Sequence, residues 1–188
     1  EIVNLSGGDV MVIGGYSDAT TFLDSTETFT PGADTWADTG VLNTARAGFG
    51  IVSAVGADIV VAGGVTTADV VLDSVELWNH LTDTWTTVNP MTTARAYAAA
   101  VIPNPAGVLP SPAQDTMWMI GGSTSATDLS SATTLDTVES YDIFSDTWTT
   151  NVEVLLNPRS NHVAQSLSTA AGVSTIFVGF GIADGSVK

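Results

Sequence analysis

The sequence predicts an all-β fold built from repeated four-stranded antiparallel sheets. Three observations predict it. Short apolar runs rich in β-branched and aromatic residues recur between clusters of Gly, Pro, Asn and Asp, the pattern of buried strands joined by turns. No stretch shows the apolar periodicity of an amphipathic helix. Four markers return at one offset: Gly14 and Gly63, Glu27 and Glu76, Trp36 and Trp85, and Arg46 and Arg95 are each 49 residues apart. Four short strands in a period of that length is the arrangement of a β-propeller blade.

Along the chain, Glu1 to Leu5 reads as a short strand and Ser6-Gly7-Gly8-Asp9 as a turn. Val10 to Ile13 is a buried strand expected to stop at Gly14-Gly15. Tyr16 to Asp24 reads as a polar loop, Ser25 to Phe29 as an alternating strand, and Thr35-Trp36-Ala37 as the opening of the next. Arg46 to Val55 is another strand, with the small residues Ala47, Gly48 and Gly50 suited to a crowded place near a shared axis. The second unit repeats the set: Ile59 to Ala62 ending at Gly63-Gly64, Ser74 to Trp78, a strand around Trp85, and Met91 to Arg95.

A third set follows with longer connections. Ala96 to Ile102 is a strand of small residues. Pro103 to Gln114, with four prolines, is an inserted loop. Thr116 to Ile120 runs into Gly121-Gly122, and Ser123 to Leu135 is a second long loop. Thr137 to Tyr141, Asp146-Thr147-Trp148 and Arg159 then repeat the markers, with Glu76 to Glu139 spaced by 63 and Arg95 to Arg159 by 64 residues. Ser160 to Leu167 and Ser174 to Val178 open a fourth set, which has a degraded glycine pair at Gly179-Phe180-Gly181 and neither the acid-aromatic strand nor the Trp. The expected units are 1–45, 46–94, 95–158 and a truncated 159–188.

The diglycine after an apolar run, the acid-x-aromatic strand, the Trp and the following Arg resemble a kelch repeat. The resemblance covers nearly the whole chain. It implies a kelch-type β-propeller of about three and a half blades, part of a larger or partner-completed ring, because closed propellers use about four to eight. It also implies a non-catalytic protein-binding or assembly module acting through loops and exposed blade edges. In such blades Trp36, Trp85 and Trp148 are expected to fill the wedges between sheets. An indole buries about 150–250 Å², worth roughly 4–6 kcal/mol gross at about 25 cal/mol per Å², an upper bound. Glu27, Glu76 and Glu139 with Arg46, Arg95 and Arg159 are expected to pair or to cap buried backbone.

Composition narrows the function. Twenty acids against four bases give a formal net charge of −16, which repels phosphate backbones and disfavours nucleic acid. A coat of this sign attracts cations or a basic surface. No run is long and apolar enough to enter a membrane as a helix. There is no Cys, so thiolate chemistry, disulfides and Cys metal sites have no residues here. The kelch family includes copper oxidases that need a cysteine-modified tyrosine, and this chain lacks that chemistry. Asn4-Leu5-Ser6 fits a glycosylation sequon. Nothing in the residues fixes the compartment, and an extracellular setting is slightly favoured over the cytoplasm.

The binding candidates are Asp18, Asp69 and Asp128, one in each of the loops Tyr16–Asp24, Thr66–Asp73 and Ser123–Asp136, which a propeller would bring to one face. They suit a glycan, a cation or a basic peptide, although ordinary solvated loops are the commoner meaning of such residues. No catalytic residue, metal site or cofactor is expected. His80 and His162 lie in different units, and Ser160 near His162 has no acid placed to complete a relay.

Overall fold

A computed structural model of the chain describes residues 1–5, 7–18, 20–54, 58–103, 116–128, 133–151, 153–168, 174–183 and 186–187. The loop expected over Pro103–Gln114 lies outside the described residues beyond Pro103, as does part of the loop over Ser123–Leu135. The described residues form strands, turns and bends and no α-helix.

The first sheet pairs β1 (Ile2–Asn4), β2 (Val10–Asp18), β3 (Thr21–Thr30) and β4 (Thr35–Asp38) in chain order. The second pairs β5 (Gly50–Ser53), β6 (Ile59–Ala62), β7 (Val75–Asn79) and β8 (Thr84–Val88). The third pairs β9 (Ala99–Val101), β10 (Thr116–Ile120), β11 (Val138–Asp142) and β12 (Thr147–Thr150). All of these pairings are antiparallel. Two strands follow, β13 (Val163–Ser168) and β14 (Ser174–Gly179), then a small hairpin of β15 (Ile182–Ala183) and β16 (Ser186–Val187). The fold is thus three four-stranded blades and the two leading strands of a fourth, and the sheets do not close into a ring.

The sheets stack face to face, and strand alternation decides which residues meet. Met11 and Ile13 of β2 pack against Ile59, Val61, Trp78 and Trp85 of the second sheet. The intervening Val60 and Ala62 point the other way, with Val52 and Val75, onto Met117, Met119 and Tyr141 of the third. Val101, Ile120 and Val138 continue the stack onto Ala164, Ile176 and Val178. A strand covered on both faces needs apolar residues at every position. That is why Ile59-Val60-Val61-Ala62 is an unbroken apolar run, and all four side chains are fully buried.

The two ends of the stack are bare. Beyond the first sheet, Ile2 and Trp36 are exposed, and Trp36 lies tilted by 39° on Phe29 at 5.1 Å between ring centres. Beyond the last strand pair, Val163, Leu167 and Phe177 are exposed. These three alternate with the inward-facing Ala164, Ile176 and Val178.

The first sheet departs from expectation. β2 does not stop at Gly14-Gly15 but continues to Asp18, and Tyr16 and Asp18 pair with Phe22 and Thr21 of β3. Most of the expected Tyr16–Asp24 loop is therefore strand. The positive φ of both glycines is absorbed as register shifts between Ile13 and Gly15 and between Tyr16 and Asp18. β-forming residues on both sides of the turn keep the ladder going. In the other sheets the pairing beyond the glycines shrinks to single bridges, Val65 to Val71 and Ser123 to Thr134.

Candidate functional site

Each pair of neighbouring sheets is joined by the same polar clamp. Arg46 follows the first sheet, and its guanidinium is fully buried in the second. It donates to the carbonyls of Gly63 at 2.9 Å and Ser74 at 3.0 Å, to Ser74 Oγ at 2.9 Å, and to Glu76 Oε1 at 2.7 Å. The Glu76 carboxylate also accepts the backbone N–H groups of Asn43 at 2.7 Å and Thr44 at 3.1 Å. Arg95 repeats this on Gly121, Thr137 and Glu139, and Glu139 accepts from Thr92 and Thr93 at 2.8 and 3.1 Å. Burial pulls both guanidinium groups below their ordinary value, and the facing carboxylate opposes the shift. The expected Arg–Glu pairing is therefore real, and each Arg, standing between two sheets, reaches the Glu of the sheet that follows it.

The Trp strand adds a second set of bonds. Trp85 Nε1 donates to the Gly40 carbonyl at 3.0 Å and Trp148 Nε1 to the Asn89 carbonyl at 2.9 Å. The Asp two residues earlier works in the opposite sense. Asp83 Oδ1 accepts from the Gly40 N–H at 2.9 Å and from Trp78 Nε1 at 3.0 Å. Asp146 Oδ1 accepts from the Asn89 N–H at 3.0 Å and from the Tyr141 hydroxyl at 2.8 Å. Burial, with Asp146 next, raises the Tyr141 phenol above its ordinary range. The role of these aspartates was missed in the sequence, although the triplet Asp-Thr-Trp stands at 34–36, 83–85 and 146–148.

At the ends of the stack the clamp is half built. Glu27, Asp34 and Trp36 hold the positions of the two acceptor carboxylates and the donor indole, yet all three are exposed. Trp36 is 55% exposed where Trp85 is 7%, so the expected wedge burial fails at the first sheet, whose outer face meets no other sheet among the described residues. At the other end Arg159 makes only long bonds, 3.4 Å to each of the Asn157 and Phe180 carbonyls, and meets no carboxylate among the described residues. Leu156, which sits where Thr92 and its neighbours meet Glu139, is 99% exposed. Phe180 takes the left-handed conformation of Gly63 and Gly121, with φ 62° against 70° and 60°. The backbone of the fourth unit thus follows the repeat through Phe180 and Gly181.

The strand-to-strand connections of the three sheets lie side by side. The Phe22 N–H donates to Thr67 Oγ1 at 3.3 Å, joining the first connection to the second. The Tyr97 hydroxyl donates to the Ala126 carbonyl at 3.1 Å in the third. Between them is a cavity of about 420 Å³, lined among others by Tyr16, Asp18, Phe22, Val65, Tyr97 and Asn161. Of the three sequence candidates, Asp18 lines it. Asp69 lies close enough to raise the Tyr97 phenol, after burial and ahead of Tyr16. Asp128 does not line it: its N–H donates to Ser125 Oγ at 2.9 Å and its carbonyl accepts from Ser123 Oγ at 3.3 Å, which shapes the turn.

The floor of this region is a backbone ladder near the stack axis. The Tyr97 N–H donates to the Gly48 carbonyl at 2.7 Å and the Asn161 N–H to the Tyr97 carbonyl at 2.9 Å. Gly48, Tyr97 and Asn161 occupy one repeat position, all left-handed with φ of 61°, 57° and 51°. Sequence reasoning missed Tyr97. The only signal was a large ring in a strand of small residues.

His80 is exposed at a turn, with Nδ1 2.9 Å from Asp58 Oδ1. His162 is buried at the position of Phe49 and Ala98, against Gly121. Neither of its ring nitrogens has a hydrogen bond of normal geometry. Burial first, then Arg159, pushes its pKa down to about 4, with the Ile120 carbonyl opposing weakly. Among the described residues no group of three or more His, Asp or Glu is placed to hold a metal ion.

The family description "Kelch motif" matches residues 45–92, which hold the second sheet and the Arg46–Glu76 clamp. The chain carries a kelch repeat. Its first and third sheets repeat the same antiparallel strand order, consistent with kelch-type blades. Kelch motifs build propeller modules commonly used for protein–protein binding. No curated protein matches the chain.

Proposed function

We propose that this chain is a non-catalytic binding and assembly module of kelch type, and that its first sheet docks onto a further kelch-type blade. The exposed half-clamp of Glu27, Asp34 and Trp36 carries the reading. At both internal junctions the equivalent acid, aspartate and indole are engaged by the preceding unit. The complementary surface is therefore defined: a buried Arg, two backbone N–H groups for the Glu, and an N–H and a carbonyl for the Asp and Trp. Bare blade faces with these groups unmatched favour association. Glycan or cation recognition at the loop face is the second reading, favoured by the cavity that Asp18 lines.

Light scattering and sedimentation of the purified chain test the first reading. Concentration-dependent association, weakened by Trp36→Ala and by Glu27→Gln with the fold retained by circular dichroism, is expected. A chain that stays monomeric and cooperatively folded at high concentration overturns it.

A further inference from the structure

We propose that the loop-face cavity binds an organic cation, an alkylammonium or guanidinium group seated against Tyr16, Tyr97 and the Asp18 carboxylate. The cavity, about 420 Å³, is of the size that takes a small ligand or one long side chain. Its walls are aromatic. Tyr16 and Phe22 stand 6.2 Å apart between ring centres, and the ring of Tyr97 is fixed through its hydroxyl bond to Ala126. A cation over such a face is attracted by the ring quadrupole, more strongly when desolvated.

The carboxylate is prepared for the same ligand. Asp18 Oδ1 accepts from the Thr20 N–H at 2.8 Å, Thr20 Oγ1 at 2.9 Å and the Thr21 N–H at 2.9 Å. These bonds hold it below the usual carboxylate range. All three fall on one oxygen, and Oδ2 makes no hydrogen bond to the described residues. Glu1 lines the cavity too, and Asp69 adds negative potential at the Tyr97 hydroxyl. None of Arg46, Arg95 and Arg159 lines the cavity, and the Glu1 ammonium is engaged by the Ile13 carbonyl at 2.9 Å.

Tyr97 marks the site independently. Its repeat position is left-handed and is filled by Gly48 and Asn161 in the neighbouring units. Those types visit that region readily, whereas an aromatic residue there is strained. Its ring packs over Gly48 and lines the cavity. A bare metal ion fits less well, since the described residues offer no group of three ligands.

The cation can be a free small molecule or a Lys or Arg side chain of a protein partner, and only the second source rests on the binding-module reading. Choline and its uncharged isostere 3,3-dimethylbutan-1-ol separate charge from shape. Each is titrated into the chain at constant ionic strength, with the tyrosine ring resonances followed by NMR. Saturable choline shifts on Tyr16 and Tyr97, absent with the alcohol, are expected. Asp18→Asn and Tyr16→Ala, both at exposed positions and each checked for fold, should each weaken binding about fivefold or more. Equal response to choline and the alcohol, or to choline and sodium, overturns the proposal, as does wild-type affinity in both variants. A capped Lys/Arg peptide that binds more tightly than choline assigns the site to a protein side chain. One that binds no better assigns it to a free cation and leaves the blade-docking reading to light scattering.

Discussion

At the scale of single residues, the Arg–Glu clamps divide into those with a following sheet and those without. Arg95 is fully buried, and its loss strands the Glu139 carboxylate away from water. Arg95→Met should therefore cost about 3–5 kcal/mol, read from the midpoint of urea unfolding. Arg159→Met removes only two long bonds from a half-buried side chain and should cost under about 1 kcal/mol. Equal costs for the two would mean that the clamp is not what stabilises the junction.

His162 supplies a pH signature. Its pKa is about 4 in the folded chain against an ordinary value near 6.5. The unfolded chain thus binds the proton first, and stability falls as pH drops from about 6.5 to about 4, by at most about 3 kcal/mol. His162→Phe places the residue of the equivalent Phe49 there. It should flatten the difference between pH 7 and pH 4.5 relative to wild type in parallel denaturation curves. A wild-type pH slope in that variant would contradict the assignment.

At the scale of elements, the glycine pairs act through what lies beside them. A Cβ on Gly63 would stand 2.2 Å from the Arg95 carbonyl oxygen, at φ +70°. Gly63→Ala should cost about 3 kcal/mol or more. Gly15, at φ +98°, has nothing within 4 Å of such a Cβ, so Gly15→Ala should carry only the conformational cost, about 1–2 kcal/mol. Thermal unfolding of the two variants separates crowding from strain. Phe180 shows a side chain held at the left-handed position of Gly63 where the site is open, with φ 62° at 79% exposure.

Much of this was legible in the sequence. The recurring Gly, Glu, Trp and Arg positions mark where strands end and sheets meet, because those residue types answer local demands of backbone and burial. What was not legible is relational. Glu27 and Glu76 have the same spacing to the next Arg, yet one is exposed and the other fully buried. The difference is set by whether a sheet stands in front. Likewise Asp18, Asp69 and Asp128 look alike as loop acids, and only the folded chain shows that Asp18 lies among aromatic rings. Tyr16 read as a loop residue, since diglycine ordinarily ends a strand.

At the scale of the whole molecule, a net charge of −16 works against any contact between two copies. Raising the ionic strength from about 0.01 to 0.15 M shortens the screening length from about 30 to 8 Å. Association through the bare end faces should strengthen over that range in sedimentation experiments, because the clamps and apolar contacts act at shorter distance. Weakening with added salt would point instead to attraction between opposite charges at the interface.

The clamps run in one direction. The Arg46 carbonyl accepts from the Gly15 N–H behind it, at 2.9 Å, while its side chain grips Gly63 ahead; Arg95 does the same between Gly64 and Gly121. Such a chain can lengthen by duplication of a whole period without a new fastening having to be invented. A tandem copy of residues 46–94 spliced after Ala94 would meet a ready-made socket at each seam, whereas a splice inside a period would orphan one.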